Sequence, residues 1–315
     1  MKLHHDMKLF ADTVRAASQY LNIIPVYIEK DYWITLVLSQ LAKSKYAEHA
    51  VFKGGTSLSK GYELITRFSE DVDIAIIDSS IKSGNKIKTI IRAVEKEMTK
   101  GLTEKQLAGV SSKGSRFRKS VFEYASIDSK NNSNKLIVEV NSFANPYPFQ
   151  KLSIESFITN FLSKTSNTEY IQQYNLQSFQ INVLDKRQTL LEKLVSLIRF
   201  SFDENMTQSI ASKIRHFYDL YYLLSDTECA AFVQTEEFTK QFQAILNNDR
   251  ENFDIPEGWN KKSINESPLV TDFNSIWNQI KATYNKELSA LAFTDIPSEK
   301  DVANKFKTLI KAIQV

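Results

Sequence analysis

Asp71 and Asp73 are the residues of this chain best placed to do chemistry. They lie in the run Ser-Glu-Asp-Val-Asp-Ile-Ala-Ile-Ile over residues 69–77, which reads as a strand. On a strand, residues two apart project to the same side. Both carboxylates therefore face one way and Val72 the other. Two such charges are stable together when a cation lies between them, and an oxygen-only donor set suits Mg²⁺ or Mn²⁺. Upstream, the short apolar run Val51-Phe52-Lys53 leads into Gly54-Gly55. The spacing after that turn predicts a helix capped by Thr56 or Ser57, with Leu58, Tyr62 and Ile65 on one face. Glycine lets the backbone approach a ligand closely, and the N–H groups at a helix start suit phosphate. Gly54, Gly55, Thr56 and Ser57 are thus the candidate nucleotide cradle. A phosphate cradle followed by a divalent-metal pair is the equipment for phosphoryl or nucleotidyl transfer. Each half alone has an ordinary reading, a tight turn or two surface acids. In the order strand, turn, helix, strand, the two together form a motif.

Three further candidates come from later segments. The run KLIVEVNSF at 135–143 is a clear strand, and RFRKSVFEYAS at 116–126 alternates roughly. The polar stretch 128–134 between them predicts a turn, making a β-hairpin. Glu139 is a lone acid among apolar neighbours, which is costly unless it is paired or binds metal; its other reading is an edge acid facing solvent. Lys193 lies beside the stripe Leu190, Leu194, Leu197 and Ile198 of a helix starting near Arg187, and a lysine is a mobile point charge suited to phosphate. Asp219 lies on a helix over 210–224 and could pair with Arg215 one turn earlier. Lys30 and Asp31 read as a solvated pair without a role, Trp33 as a core anchor, and His216 as structural.

The segments GGTSLSK at 54–60 and RFSEDVDI at 67–74 resemble the nucleotidyltransferase domain of the AbiEii toxin family, relatives of the MenT toxins within the DNA polymerase β-like nucleotidyltransferase superfamily. The segment IEKDYWIT at 28–35 is similar to that family's N-terminal helix. The resemblance is good over 28–224 and looser beyond. The interval from Gly55 to Asp71 is slightly longer than in typical superfamily members, as in this branch. The resemblance implies an α+β fold: a small mixed nucleotidyltransferase-type sheet flanked by helices, then a helical C-terminal domain. It places N-terminal helices and catalytic core in 1–184, and in 185–315 a helical domain completing the active-site cleft. It implies an NTP substrate, a divalent metal on Asp71 and Asp73, and Glu139 as the third acid on a neighbouring strand. It also implies that Lys193, on a helix like the family's E-K helix, contacts the triphosphate. Asp219 matches the later aspartate of an R-D-x-Y-D-L-type helix that serves the active site, although His216 stands where an acid is commoner.

The bulk composition narrows the partners. Net charge is +3, from 40 basic and 37 acidic residues among 315, so any RNA surface must be a local patch. Lys113, Arg116, Arg118 and Lys119 are the candidates; their other reading is a charged guard on a sheet edge. The single cysteine, Cys229, excludes an intrachain disulfide and a cysteine-rich zinc site. No apolar run reaches the length of a membrane span, and the N-terminus lacks a secretory apolar region, so the expected location is the cytoplasm. The resemblance implies the toxin of a toxin–antitoxin or phage-defence pair, with a cognate antitoxin encoded nearby and tRNA as the nucleotide acceptor. Two other readings stand beside it: the same chemistry on a small-molecule or protein acceptor, and a non-enzymatic nucleotide-binding protein. The last would lack a metal carboxylate, and both are present.

Overall fold

The computed structural model describes residues 2–77, 84–128, 134–144 and 146–313. Most of the expected hairpin turn, the start of a helix expected at 81, and Asn145 lie outside the described residues. The chain forms two compact units. One comprises Met1–Glu63 and Phe68–Leu184, the other Leu64–Arg67 and Asp185–Val315.

The first unit is built on one mixed sheet. Its strands are β1 (Ala50–Lys53), β2 (Asp71–Ile76), β3 (Thr103–Lys105), β4 (Ser112–Lys113), β5 (Phe117–Glu123), β6 (Lys135–Asn141), β7 (Phe149–Ile154) and β8 (Phe179–Leu184). They lie in the order β3-β5-β6-β2-β1-β8-β7, with β4 on β5. The pairs β2–β6 and β1–β8 are parallel and the others antiparallel. The helices of this unit are α1 (Met7–Leu21), α2 (Pro25–Ala42), α3 (Gly54–Lys60), α4 (Gly84–Met98), α5 (Phe157–Lys164) and α6 (Thr168–Gln173). Val72 and Ile74 of β2 and Leu136, Val138 and Val140 of β6 are wholly buried, and α2 and α4 pack against β6. The alternating residues of the same strands, including the acids, project from the other face.

Local chemistry explains where these elements begin and end. The Asp6 carboxylate accepts from the Leu9 N–H at 3.0 Å and starts α1. Pro25 opens α2 rather than merely ending α1, because a first-turn proline loses no intrahelical bond. The helix α3 stops at Lys60, short of Tyr62 and Ile65, so the expected long apolar face does not form. β7 escaped the sequence reading because this edge strand, half of whose residues are exposed, shows little alternation.

The segment Glu29-Lys30-Asp31 is not solvated. These residues are 3%, 5% and 3% exposed. Glu29 accepts from the Ser126 hydroxyl at 3.0 Å and the Ile127 N–H at 2.7 Å. Lys30 donates to Glu70 at 3.0 Å. Asp31 accepts from the Phe157 N–H at 2.8 Å and pairs with Lys60. The sequence run looked polar and therefore external; its partners lie far along the chain.

The second unit is helical: α7 (Lys186–Phe200), α8 (Met206–Ala211), α9 (Ile214–Leu223), α10 (Thr227–Phe232), α11 (Glu236–Asn252), α12 (Pro268–Thr271), α13 (Phe273–Leu291) and α14 (Glu299–Ala312). Asp185, Asp226, Thr235 and Ser298 cap four of these helices with their side chains. Phe217, Phe273, Trp277 and Phe306 form an aromatic core with ring centroids 4.8 to 6.2 Å apart. Residues 64–67 join this unit: the Thr66 carbonyl accepts from the Phe293 N–H at 2.7 Å. Among the described residues, no helix is long and apolar enough to cross a membrane.

A buried polar contact holds α4 to the sheet. Glu95 accepts from Arg118 at 2.6 Å and from the Ser120 hydroxyl at 2.5 Å. Removing one partner of such a pair leaves the other charged and unpaired. Glu95→Ala is therefore expected to lower the unfolding free energy by about 3 kcal/mol in urea denaturation followed by circular dichroism. A loss under about 1 kcal/mol would mean the pair behaves as a surface contact.

Candidate active site

Strand register brings four charged residues into one row across the first unit's sheet. Lys53 of β1 pairs with Asp73 of β2, Asp73 with Glu139 of β6, and Glu139 with Lys119 of β5. Paired residues project from the same face, and neighbouring strands are about 4.8 Å apart. Asp71, two residues before Asp73, shares that face. Three acids thus stand together with a lysine on either flank. The Lys119 ammonium lies 3.7 Å from a Glu139 oxygen.

The electrostatics of the row are unbalanced toward negative charge. Burial, then the charges of Glu139 and Asp71, push the Asp73 pKa above the usual carboxylate range, against the pull of Lys53 and Lys119. Burial also raises the pKa of Glu139; Lys119 and Lys53 oppose it and Asp71 adds to it. The flanking lysines do not fully compensate the acids, so a further cation would be favoured there. Among the described residues, no group of three or more acidic, histidine or cysteine side chains is placed to hold a metal ion, so any metal here would rest on two carboxylates. Mg²⁺ is suited to such an open site, since it commonly takes one or two carboxylates and completes its shell with substrate phosphates and water. Asp71 and Asp73 fit that donor set.

Gly54, the residue directly after β1, meets the row. It has φ +78°, and a Cβ there would fall on the Asp73 carboxylate, 3.1 Å from its Cγ. Both the backbone conformation and the space require glycine. The neighbouring hydroxyls have structural partners. Thr56 donates to the Asp71 carbonyl at 2.5 Å and Ser57 to the Gly54 carbonyl at 2.8 Å. Neither caps α3, whose first residue is Gly54 itself. Thr56 fastens the glycine turn to the acid strand and Ser57 braces the turn itself, and both are buried.

Asp219 and Lys193 meet inside the second unit. Asp219 is completely buried. Arg67 grips both its oxygens, with Nε and a terminal nitrogen each at 2.7 Å, and the Lys193 ammonium lies 2.7 Å away. Burial opposes the charge, but Arg67 and then Lys193 outweigh it and hold the carboxyl well below the usual range. Arg215 is not the partner; it reaches Glu287 at 3.9 Å. A planar guanidinium meeting a carboxylate in two parallel bonds is the stronger arrangement, and it draws Asp219 inward. Burial, followed by the positive charge of Lys193, holds the His216 pKa well below its ordinary value, so the ring is neutral. Arg67 was not singled out from the sequence, because its partner is 152 positions away.

The four candidate RNA contacts separate. Lys113 is exposed and pairs with Glu104 at 2.7 Å. Arg116 is exposed and donates to the Ser142 carbonyl at 3.1 Å. Lys119 belongs to the acid row. Arg118 is 9% exposed and committed to Glu95, so its guanidinium serves the α4–β5 packing.

A mixed sheet with acids on one face and a glycine turn against them is the layout of a nucleotidyltransferase. The sequence model described as "Nucleotidyl transferase AbiEii toxin, Type IV TA system" matches residues 36–310. This chain belongs to that family and is a nucleotidyltransferase toxin. The match carries through the C-terminal third, where the resemblance in the sequence was loose. No curated protein matches the sequence. Among solved structures, the chain is similar to MenT4, a nucleotidyltransferase toxin from Mycobacterium tuberculosis H37Rv. The TM-score is 0.44 and the identity 13%, covering 95% of this chain and 98% of that one.

Two outcomes are expected. Gly54→Ala forces a left-handed residue and a collision, so nucleotide incorporation should fall at least about tenfold, as for roughly 1.4 kcal/mol, while the circular dichroism spectrum is kept. The Asp219 carboxyl is depressed in the folded state, so its stabilising contribution is complete above the ordinary aspartate pKa of about 4. It declines as pH falls from there toward the folded value. Thermal melts of wild type and Asp219→Asn should accordingly differ most near neutral pH and converge in acid. A constant gap would contradict the ion-paired assignment.

Proposed function

We propose that this chain transfers a nucleoside monophosphate from an NTP to the 3′ end of an RNA, with tRNA the acceptor that the family resemblance favours. The acid row is the observation that carries this reading: Asp71, Asp73 and Glu139 stand on one face beside a glycine turn with no room for a side chain.

In this reading the backbone of Gly54 and Gly55 receives the phosphates, since the first N–H groups of a helix have no partner within it. Thr56 and Ser57 hold that backbone in place. Asp71 and Asp73 would hold Mg²⁺ or Mn²⁺. Once bound, the metal supplies charge neutralisation at the leaving pyrophosphate and acidifies the attacking hydroxyl. The 3′ oxygen of the acceptor bonds to the α-phosphorus, the bond to the bridging oxygen breaks, and pyrophosphate leaves. Glu139, beside Asp73 in register, takes the hydroxyl proton. Asp219 is the poorer base, because two cations hold it as an anion. Its role is to hold Lys193 within the second unit. Lys113, Arg116 and Lys119 are the proposed contacts to the RNA backbone, which makes binding weaken with salt. A cognate antitoxin is the implied protein partner, and the cytoplasm the implied location.

The test is incubation of the purified protein with labelled NTPs, Mg²⁺ and total cellular RNA. Label should appear in the tRNA band and vanish without Mg²⁺. Asp71→Ala should abolish both incorporation and growth inhibition while melting at the wild-type temperature. An active, toxic Asp71→Ala protein would falsify the metal-pair mechanism. Label in protein or in a small product would move the acceptor to another class and leave the mechanism standing.

A further inference from the structure

The first unit contains a cavity that none of the acid row lines. It has a volume of about 230 Å³ and lies between the later turns of α2 and residues 174–179. Lys2 and Lys43 both line it, and no aspartate or glutamate does. Neither lysine has a carboxylate partner among the described residues. The Gln40 side-chain nitrogen, also in the lining, is buried and donates to nothing. A buried amide donor without an acceptor costs free energy and calls for an explanation. Burial and then the charge of Lys43 lower the Lys2 pKa, so the two ammonium groups sense each other with no acid between them. Leu36, Leu176 and Phe179 supply an apolar wall.

We propose that this cavity binds the phosphate monoester of a small molecule, with Lys2 and Lys43 on the phosphate oxygens and Gln40 donating to a third. Two ammonium groups match the double charge of a phosphate monoester better than the single charge of a carboxylate. The apolar wall receives the organic part, as in ligand pockets where a few polar groups fix orientation. The site is independent of the transfer reaction, because none of the acid row lines it.

Calorimetric titration of the full chain with inorganic phosphate and with phenyl phosphate tests this. Neither probe carries a nucleobase. Phenyl phosphate should bind more tightly than inorganic phosphate. Lys43→Glu should weaken it about tenfold or more, the loss of one charge-assisted contact. Gln40→Leu should also weaken it. Lys43 is exposed, so its variant should keep the wild-type melting temperature and nucleotide incorporation. Unchanged binding in Lys43→Glu overturns the assignment. So does the absence of binding at millimolar concentration in the wild type, or binding only of a short oligoribonucleotide.

Discussion

The parallel pairing of β2 with β6 is the constraint on which the site depends. It sets Asp73 directly against Glu139, a placement that like charges would not choose. What holds them is the other face of the same strands. Val72 pairs with Val138 and Ile74 with Val140, and all four are wholly buried. A slip of one residue would turn this apolar set outward. Each valine or isoleucine contributes on the order of 2 kcal/mol by burial, so the register is fixed by packing and the acids are carried with it. Burial first, and the neighbouring acid charges after it, raise the pKa values of Asp73 and Glu139.

Buried ion pairs recur away from that row, and they serve geometry more than stability. Asp31 fastens Lys60 and the start of α5; Glu95 fastens Arg118 and Ser120; Asp219 fastens Arg67 and Lys193. A pair of this kind seldom outperforms a well-packed apolar contact, because both charges lose water. Its effect is directional. Lys60 ends α3, the helix of the glycine turn, so the Asp31 contact fixes the far end of the element whose near end meets Asp73. Thr56 fixes the same helix to the acid strand through the Asp71 carbonyl.

Some of this was legible in the sequence and some was not, for a physical reason. Alternation is local, so the strand of Asp71 and Asp73 and the strand of Glu139 could be read from their own neighbours. The lone acid in KLIVEVNSF was conspicuous because its run is otherwise apolar. The strands alone did not show the row, since it depends on which strands pair and in what register; only the family resemblance put Glu139 on a strand beside Asp71 and Asp73. Lys53 and Lys119 acquire their place only through that pairing. Arg67 and Glu29 were missed for the same cause: each answers a group remote in sequence, and a charged residue does not reveal from its own position whether water or a partner surrounds it. The extent of α3 was overread because helical spacing at Leu58, Tyr62 and Ile65 persists in the sequence after the backbone has left the helix.

The acids of this chain differ in environment in a way that separates their chemistry. Asp219 faces a guanidinium and an ammonium and is held ionised. Asp73 and Glu139 face each other, and burial makes ionisation harder. Titratable groups pushed in opposite directions by their surroundings are the usual mark of divided roles. A carboxylate already satisfied by two cations has little attraction left for a proton or a metal. A crowded pair has a surplus of it. The same residue type therefore orients a lysine in one setting and attracts positive charge in the other, and the difference comes entirely from what the fold places within hydrogen-bonding reach.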